Sequence, residues 1–239
     1  MVDKNILKVN KGYMMKQKFN IINIIIILFV LVGDIFYITY DNLWIKSITS
    51  LCFVLLGGVN LIYLVKTNIS NKKFPIIILI GLTFACGGDI LLEINFITGA
   101  ILFAIGHIFY FASYCQLIKF KPHDLIIGVI IFVPSVLFIY LAPIFDFGGG
   151  LMKIVCILYA IVISCMVGKA ITNLIKQKNV LNILLVIGSA LFFFSDLMLL
   201  LNVFADLNSI VGALCLATYY PAQCILAHSI LYVQKASCN

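Results

Sequence analysis

The sequence predicts an all-α integral membrane protein, a bundle of about eight transmembrane helices with both termini cytoplasmic. Three observations predict it. Of 239 residues, 64% are hydrophobic and only 10% charged, whereas a soluble domain carries about 25% charged residues. The apolar residues fall in long runs parted by short polar breaks, and a spanning helix takes about 20 of them. The lysines sit in alternate breaks, as they do in the cytoplasmic loops of multi-span proteins.

The runs follow in order. The first, 19–40, comes after Lys4, Lys8, Lys11, Lys16 and Lys18. It has the basic start and apolar stretch of a signal peptide. Gly33-Asp34 stands where a small-residue cleavage site would be, so it reads as an uncleaved span. The next runs are 44–65, opened by Asp41-Asn42, and 75–95, opened by Asn71-Lys72-Lys73. Then come 97–118 and, after Lys121-Pro122-His123, 124–144. Gly148 to Gly150 introduce 151–173, Lys176 to Asn179 introduce 180–204, and Asp206 to Asn208 introduce 209–234. These breaks carry turn chemistry, and none has room for a second domain. The expected division is a basic cytoplasmic extension, 1–18, an eight-helix transmembrane domain, 19–234, and a cytoplasmic tail, 235–239.

Fourteen of the 16 lysines fall on the side of the two termini; only Lys46 and Lys153 fall on the other. The formal net charge is +7, yet no residue is arginine. That argues against nucleic acid and against a bidentate phosphate clamp. The eight cysteines form no CxxC pair, and all but Cys238 lie in apolar runs. They read as small buried hydrophobes. The expected location is the cell membrane, with the bilayer as partner and the bacterial plasma membrane as the specific expectation.

An ionisable side chain inside a span is expensive and raises a functional hypothesis. The candidates are Asp34, Asp89, Glu93, His107, Asp196 and, near the inner end, His228. Three of the acids follow a small residue: Gly33-Asp34-Ile35, Gly88-Asp89-Ile90 and Ser195-Asp196-Leu197. Counted at 1.5 Å per residue, Asp34 and Asp89 lie about 9 Å below the outer helix ends, Asp196 about 12 Å and His107 about 15 Å. Tyr219 and Gln223 fall near that level or deeper. His107, Tyr110 and Tyr114 share one helical stripe, and Asp89 with Glu93 and Tyr219 with Gln223 are i, i+4 pairs. One polar pocket in the outer half of an apolar bundle accounts for this layer. A weak repeat at offset 107 relates Gly81, Asp89, Leu92 and Gln116 to Gly188, Asp196, Leu199 and Gln223. Lys46 reads as an interfacial anchor or a phosphate contact. There is no HExxH and no paired-His stripe, so neither a metal nor another cofactor is expected.

The segment Gly87-Gly88-Asp89-Ile90-Leu91-Leu92-Glu93, followed by Gly106-His107-Ile108-Phe109-Tyr110, resembles the YhhN-like lysoplasmalogenase family. So do Gly188-Ser189-Ala190-Leu191-Phe192-Phe193-Phe194-Ser195-Asp196 and Tyr219-Tyr220-Pro221-Ala222-Gln223. The resemblance runs from about residue 30 to residue 230. It departs from the family pattern where Lys46 is followed by Ser47, in place of the frequent Lys-Pro, and in the basic extension 1–18. What it implies is an eight-helix membrane hydrolase that cleaves the vinyl-ether bond of lysoplasmalogens. The products would be a fatty aldehyde and a glycerophospho-ethanolamine or -choline.

That chemistry needs a proton donor at neutral pH, and a carboxyl kept from water can stay protonated. The expected catalytic residues are Asp89 and Asp196 as an acid/carboxylate pair, with His107 handling water or protons and Tyr110 orienting it. Glu93 would meet an ethanolamine ammonium; Tyr219, Tyr220, Gln223 and Lys46 complete the expected substrate site, with a lysophospholipid as partner. Two other readings remain. A proton-coupled small-molecule transporter would use the same carboxylates and predicts interrupted helices near Pro134 or Pro221. A non-catalytic membrane scaffold predicts that replacing Asp89 or Asp196 leaves function intact.

Overall fold

The computed structural model describes residues 4–67, 72–205 and 207–233, with side chains from Gln17 onward. The turn residues Asn71 and Asp206 and the tail 235–239 lie outside the described residues. Eight α-helices follow one another: α1 Lys4–Tyr40, α2 Leu43–Lys66, α3 Lys73–Leu92, α4 Phe96–Leu117, α5 Leu125–Leu141, α6 Gly150–Lys176, α7 Val180–Phe204 and α8 Ile210–Ser229. Single 3-10 turns, Pro122–Asp124 and Ile230–Tyr232, precede α5 and end α8. All eight helices are long and apolar enough to cross a membrane, the first through Gln17–Tyr40.

The breaks act as the sequence suggests. The side chains of Asn42, Asn95 and Asn179 accept hydrogen bonds from backbone N–H groups in the first turns of α2, α4 and α7, which satisfies donors that a helix start leaves open. Several ends differ by three residues or more: α5 stops at Leu141 rather than 144, α6 runs on to Lys176 rather than 173, and α8 stops at Ser229 rather than 234. The third span stops at Leu92 rather than near residue 95, because Asn95 leaves the helix to cap α4. Its own N–H donates back to the Leu91 carbonyl at 2.8 Å. Asp89 therefore sits in the last turn of α3, and Asp196 two turns below the end of α7. The helices containing Pro134 and Pro221 run on without interruption, contrary to what a transporter built on broken helices requires.

Six helices close a ring, in the order α2, α3, α4, α6, α7, α8 and back to α2. α1 leans on α2 and α8 from outside, and α5 packs only on α6 and on its own leading turn. The small residue before each acid lets hairpin partners approach. A methyl group on Gly33 would collide with Thr49 of α2, and one on Gly88 would meet the Phe103 ring of α4 at 2.9 Å. The Ser195 hydroxyl lies 3.5 Å from Cys215 Sγ of α8. The three acids thus project beside the tight seams of α1–α2, α3–α4 and α7–α8. The offset-107 relation is uneven in its details, since Gln116 is exposed and Gln223 fully buried.

At the lysine-rich end Asp124, absent from the sequence-based candidates, ties α5 to α6. Its carboxylate takes the ammonium groups of Lys169 at 2.7 Å and Lys176 at 2.6 Å. A buried acid matched by two cations is a strong clamp, because removing either side would strand a charge in low dielectric.

Candidate functional site

The polar layer divides into two clusters. The first is built on Asp196. Its Oδ2 accepts the Tyr159 hydroxyl at 2.7 Å and lies 3.2 Å from His107 Nε2. His107 Nε2 is also 2.7 Å from the Tyr159 oxygen. Tyr159 has one hydrogen, and Asp196 receives it, so the hydrogen shared with His107 comes from Nε2. Every protein hydrogen bond to Asp196 therefore lands on Oδ2, and Oδ1 is left free. The His107 ring is wedged against Phe192 at 4.5 Å and Tyr159 at 5.4 Å between centroids. Three helices, α4, α6 and α7, hold this triad.

The second cluster is built on Asp89, where α2, α3 and α8 meet. Asp89 Oδ2 accepts the hydroxyls of Ser50 at 2.6 Å and Tyr219 at 2.7 Å. The Ser50 oxygen lies 3.3 Å from the Tyr220 hydroxyl. One turn outward, Glu93 Oε1 accepts Lys46 Nζ at 2.5 Å and the Tyr37 hydroxyl at 2.8 Å. Lys46 is buried, and its charge also bears on Asp89. Burial pushes the Glu93 carboxyl up, but the hydrogen bond and charge of Lys46, with the Tyr37 hydroxyl, outweigh it and hold Glu93 below its ordinary value.

This geometry revises several expectations. Asp89 and Asp196 share no hydrogen bond and no common partner, so they are not a proton-sharing pair. Between them stands an aromatic wall: the Tyr219 ring packs on Phe103 at 5.8 Å and on Phe192 at 5.3 Å, edge to face. Tyr110 does not orient His107 by a hydrogen bond; its hydroxyl donates to Gln223 Oε1 at 2.8 Å. Glu93 is engaged by Lys46 rather than open to an ammonium, and Lys46 is an internal ion-pair partner rather than an interfacial anchor. Tyr219 and Tyr220 serve Asp89 and Ser50. The stripe His107, Tyr110, Tyr114 is fully buried, facing the ring interior. His228 is part-buried; its Nδ1 is enclosed without a partner among the described residues and its ring leans on Tyr232. Asp34 is buried with Oδ1 unpartnered. Among the described residues no group of three His, Cys, Asp or Glu side chains converges as a metal ion would need.

Asp196 meets a cavity. A slot of about 90 Å³ lies among α4, α5, α6 and α7, and Asp196 and Tyr159 are on its wall. The rest of the lining is almost wholly apolar, including Ala100, Phe103, Ile139, Ala160, Ile163 and Phe193. The slot exists because α5 packs on α6 and leaves its other flank parted from α4 and α7. Toward the lysine-poor end the 142–149 connection folds over it. Asp146 N–H donates to the Phe204 carbonyl at 2.7 Å, and Phe96, Phe138, Phe145, Phe147 and Phe204 interlock. Lys153 stands beside this cover, its ammonium 4.3 Å from the Tyr140 ring centroid.

Sequence reasoning missed Tyr159 and Ser50. A lone tyrosine or serine in an apolar run looks the same whether it faces lipid or a carboxylate. The spacing Cys156, Tyr159, Ala160, Ile163 was the available signal, since it puts Tyr159 on one stripe of α6 with small side chains. A model of the YhhN family matches residues 43–230, from α2 to the end of α8. No curated protein and no solved structure matches the chain.

Proposed function

The chain belongs to the YhhN family, and from that premise we propose that it hydrolyses the vinyl-ether bond of lysoplasmalogens in the cell membrane, with Asp196 as the proton donor. One observation carries this reading: a single carboxyl on the wall of an apolar slot, with one oxygen held by His107 and Tyr159 and the other free to face the slot.

Protonation by Asp196 Oδ1 of the alkene carbon remote from oxygen gives an oxocarbenium ion, opposed by the carboxylate just formed. Water adds to the cationic carbon and loses a proton to the His107–Asp196 pair, which gives a hemiacetal. The hemiacetal hydroxyl then loses its proton as the glycerol oxygen gains one. Aldehyde and glycerophospho-alcohol separate, and Asp196 ends protonated as it began. One water is consumed, and no redox partner is needed.

The alkenyl chain fits the slot beside Ile163 and Phe193. Lys153 lies six residues before Tyr159 on α6, about 9 Å nearer the helix start, and is the phosphate partner in place of the ion-paired Lys46. Asp89 is a positioning residue. It fixes Tyr219, which packs on Phe103 of the slot wall and on Phe192 behind His107.

The test is aldehyde release by the purified chain from lysoplasmenyl-ethanolamine, with Asp196→Asn as the control. Release that needs Asp196 supports the reading. An inactive chain that instead moves a solute with protons into liposomes would favour the transporter.

A further inference from the structure

Hydrolysis inside a membrane needs water at a site walled by aromatics and lipid. We infer that water reaches the His107–Asp196 cluster along a polar file from the lysine-rich end of the bundle; this rests on the proposed hydrolytic reading for its purpose, though not for its existence. The file is written in α7. Asn182, Ser189 and Asp196 are spaced by seven residues, so they share one face and mark rungs about 10.5 Å apart. Each is tied to a neighbouring helix. Asp196 meets His107, the Ser189 hydroxyl is 2.9 Å from that of Tyr114, and Asn182 Nδ2 is 3.3 Å from the Asn173 carbonyl. Asn173 in turn donates to the Tyr114 carbonyl at 2.9 Å.

Four of the nine buried polar atoms without a partner among the described residues, His107 Nδ1, Gln223 Nε2, Asn173 Oδ1 and Asn182 Oδ1, lie along the same line. Their residues are at most 1% exposed. An unsatisfied buried polar atom costs about 1–3 kcal/mol, and native structures meet such atoms with ordered water. Two amide orientations are settled by what the other end does, since Asn173 and Asn182 donate through Nδ2 to carbonyls; Gln223 takes the Tyr110 hydroxyl on Oε1. With Nε2 carrying the hydrogen, His107 Nδ1 presents a lone pair, the correct partner for a water O–H. At the foot of the file lies a second cavity of about 130 Å³, lined by Leu117, Gln177, Asn179, Asn182 and Tyr232 among others. It has room for several waters and opens at the end where the lysines gather. The apolar slot and the polar file thus approach Asp196 from opposite directions, one suited to lipid and the other to water.

Radiolytic hydroxyl labelling of the chain in lipid nanodiscs, read by mass spectrometry, tests this without reference to catalysis. Tyr110 and Tyr114 should label several-fold faster than Phe53 and Phe74, which are equally buried but off the file. Asn182→Leu, which plugs the entrance, and Ser189→Val, which breaks the middle rung, should each bring the tyrosines down toward the phenylalanines. Unlabelled tyrosines in the unaltered chain overturn the file even if aldehyde is released. Labelled tyrosines in a chain that releases no aldehyde uphold the file and remove the hydrolytic reading instead.

Discussion

The Asp89 and Asp196 neighbourhoods begin from nearly the same local sequence and end as different chemistry. Each acid follows a small residue at a helix seam, and each accepts a tyrosine hydroxyl at 2.7 Å. Around Asp89 everything is closed. Its partners are hydroxyls, a buried lysine stands outward of it, and the residue is 3% exposed. Around Asp196 the partners are a histidine and a tyrosine, and the side chain keeps 14% exposure toward an apolar slot. The difference lies in the helices each acid faces. α3 is boxed in by α2, α4 and α8, whereas the space beside α7 is left open by α5 standing off. An intramembrane carboxylate is thus not a site by virtue of being there. Access separates the acid proposed to react from the one proposed to hold the wall.

The largest expected effect breaks or keeps that distinction. Asp196→Asn removes the proton donor and should lower kcat by about 10²–10⁴-fold while the chain stays folded. Asp89→Asn should also lower kcat, by up to about 10²-fold, the cost of misplacing a reacting geometry by about 1 Å. It should leave the shape of the pH–rate profile intact, because the acid proposed to react remains. Tyr219→Phe should reproduce it, and the double variant should be no worse than either single one, as for two members of one contact. An Asp89→Asn enzyme with an altered profile would return Asp89 to the reacting pair.

Tyr159→Phe comes next. It deletes a hydrogen bond to the carboxylate that forms as Asp196 gives up its proton, worth about 1.5–3 kcal/mol, so kcat should drop by about 10–10²-fold. Ser50→Ala, the matching deletion at Asp89, should change thermal stability more than turnover. Lys153→Gln follows. A lysine near a phosphate layer contributes about 1 kcal/mol, so KM should rise about fivefold with kcat unchanged, and Lys46→Gln should not mimic it.

How much of this was legible beforehand depends on whether one helix or several decide a feature. The eight helices were legible because apolar length and cap residues act locally; their ends moved by a few residues, as at α3, where Asn95 had two roles to choose between. The residue types of the layer, Asp89, His107, Asp196, Tyr219 and Gln223, were legible because charge and amide groups in a span need a reason. Their partners were not. Whether Tyr110 or Tyr159 meets His107 depends on how α4 and α6 are rotated against each other, and that rotation is set by packing across the ring. The slot was equally invisible, since it arises from α5 touching one neighbour rather than three.

The smallest effect concerns the closed cluster alone. Glu93 is held below its ordinary value of 4.5 mainly by Lys46, against the opposing effect of burial. A carboxylate whose folded value is depressed stabilises the fold fully above its unfolded value and loses that contribution as the pH falls. The unaltered chain should therefore keep a constant lead in thermal stability over Glu93→Gln from neutral pH down to about 5, and lose it below about 4.5. The lead should be modest, because Glu93 is about a third exposed and water screens the pair. Activity should not follow the same curve. The Lys46–Glu93 pair bears on Asp89 through its charges at the α1–α3 end of the bundle, while the acid proposed to react sits across the aromatic wall. A turnover profile that tracks the Glu93 melting curve would mean the wall transmits what it is argued to separate.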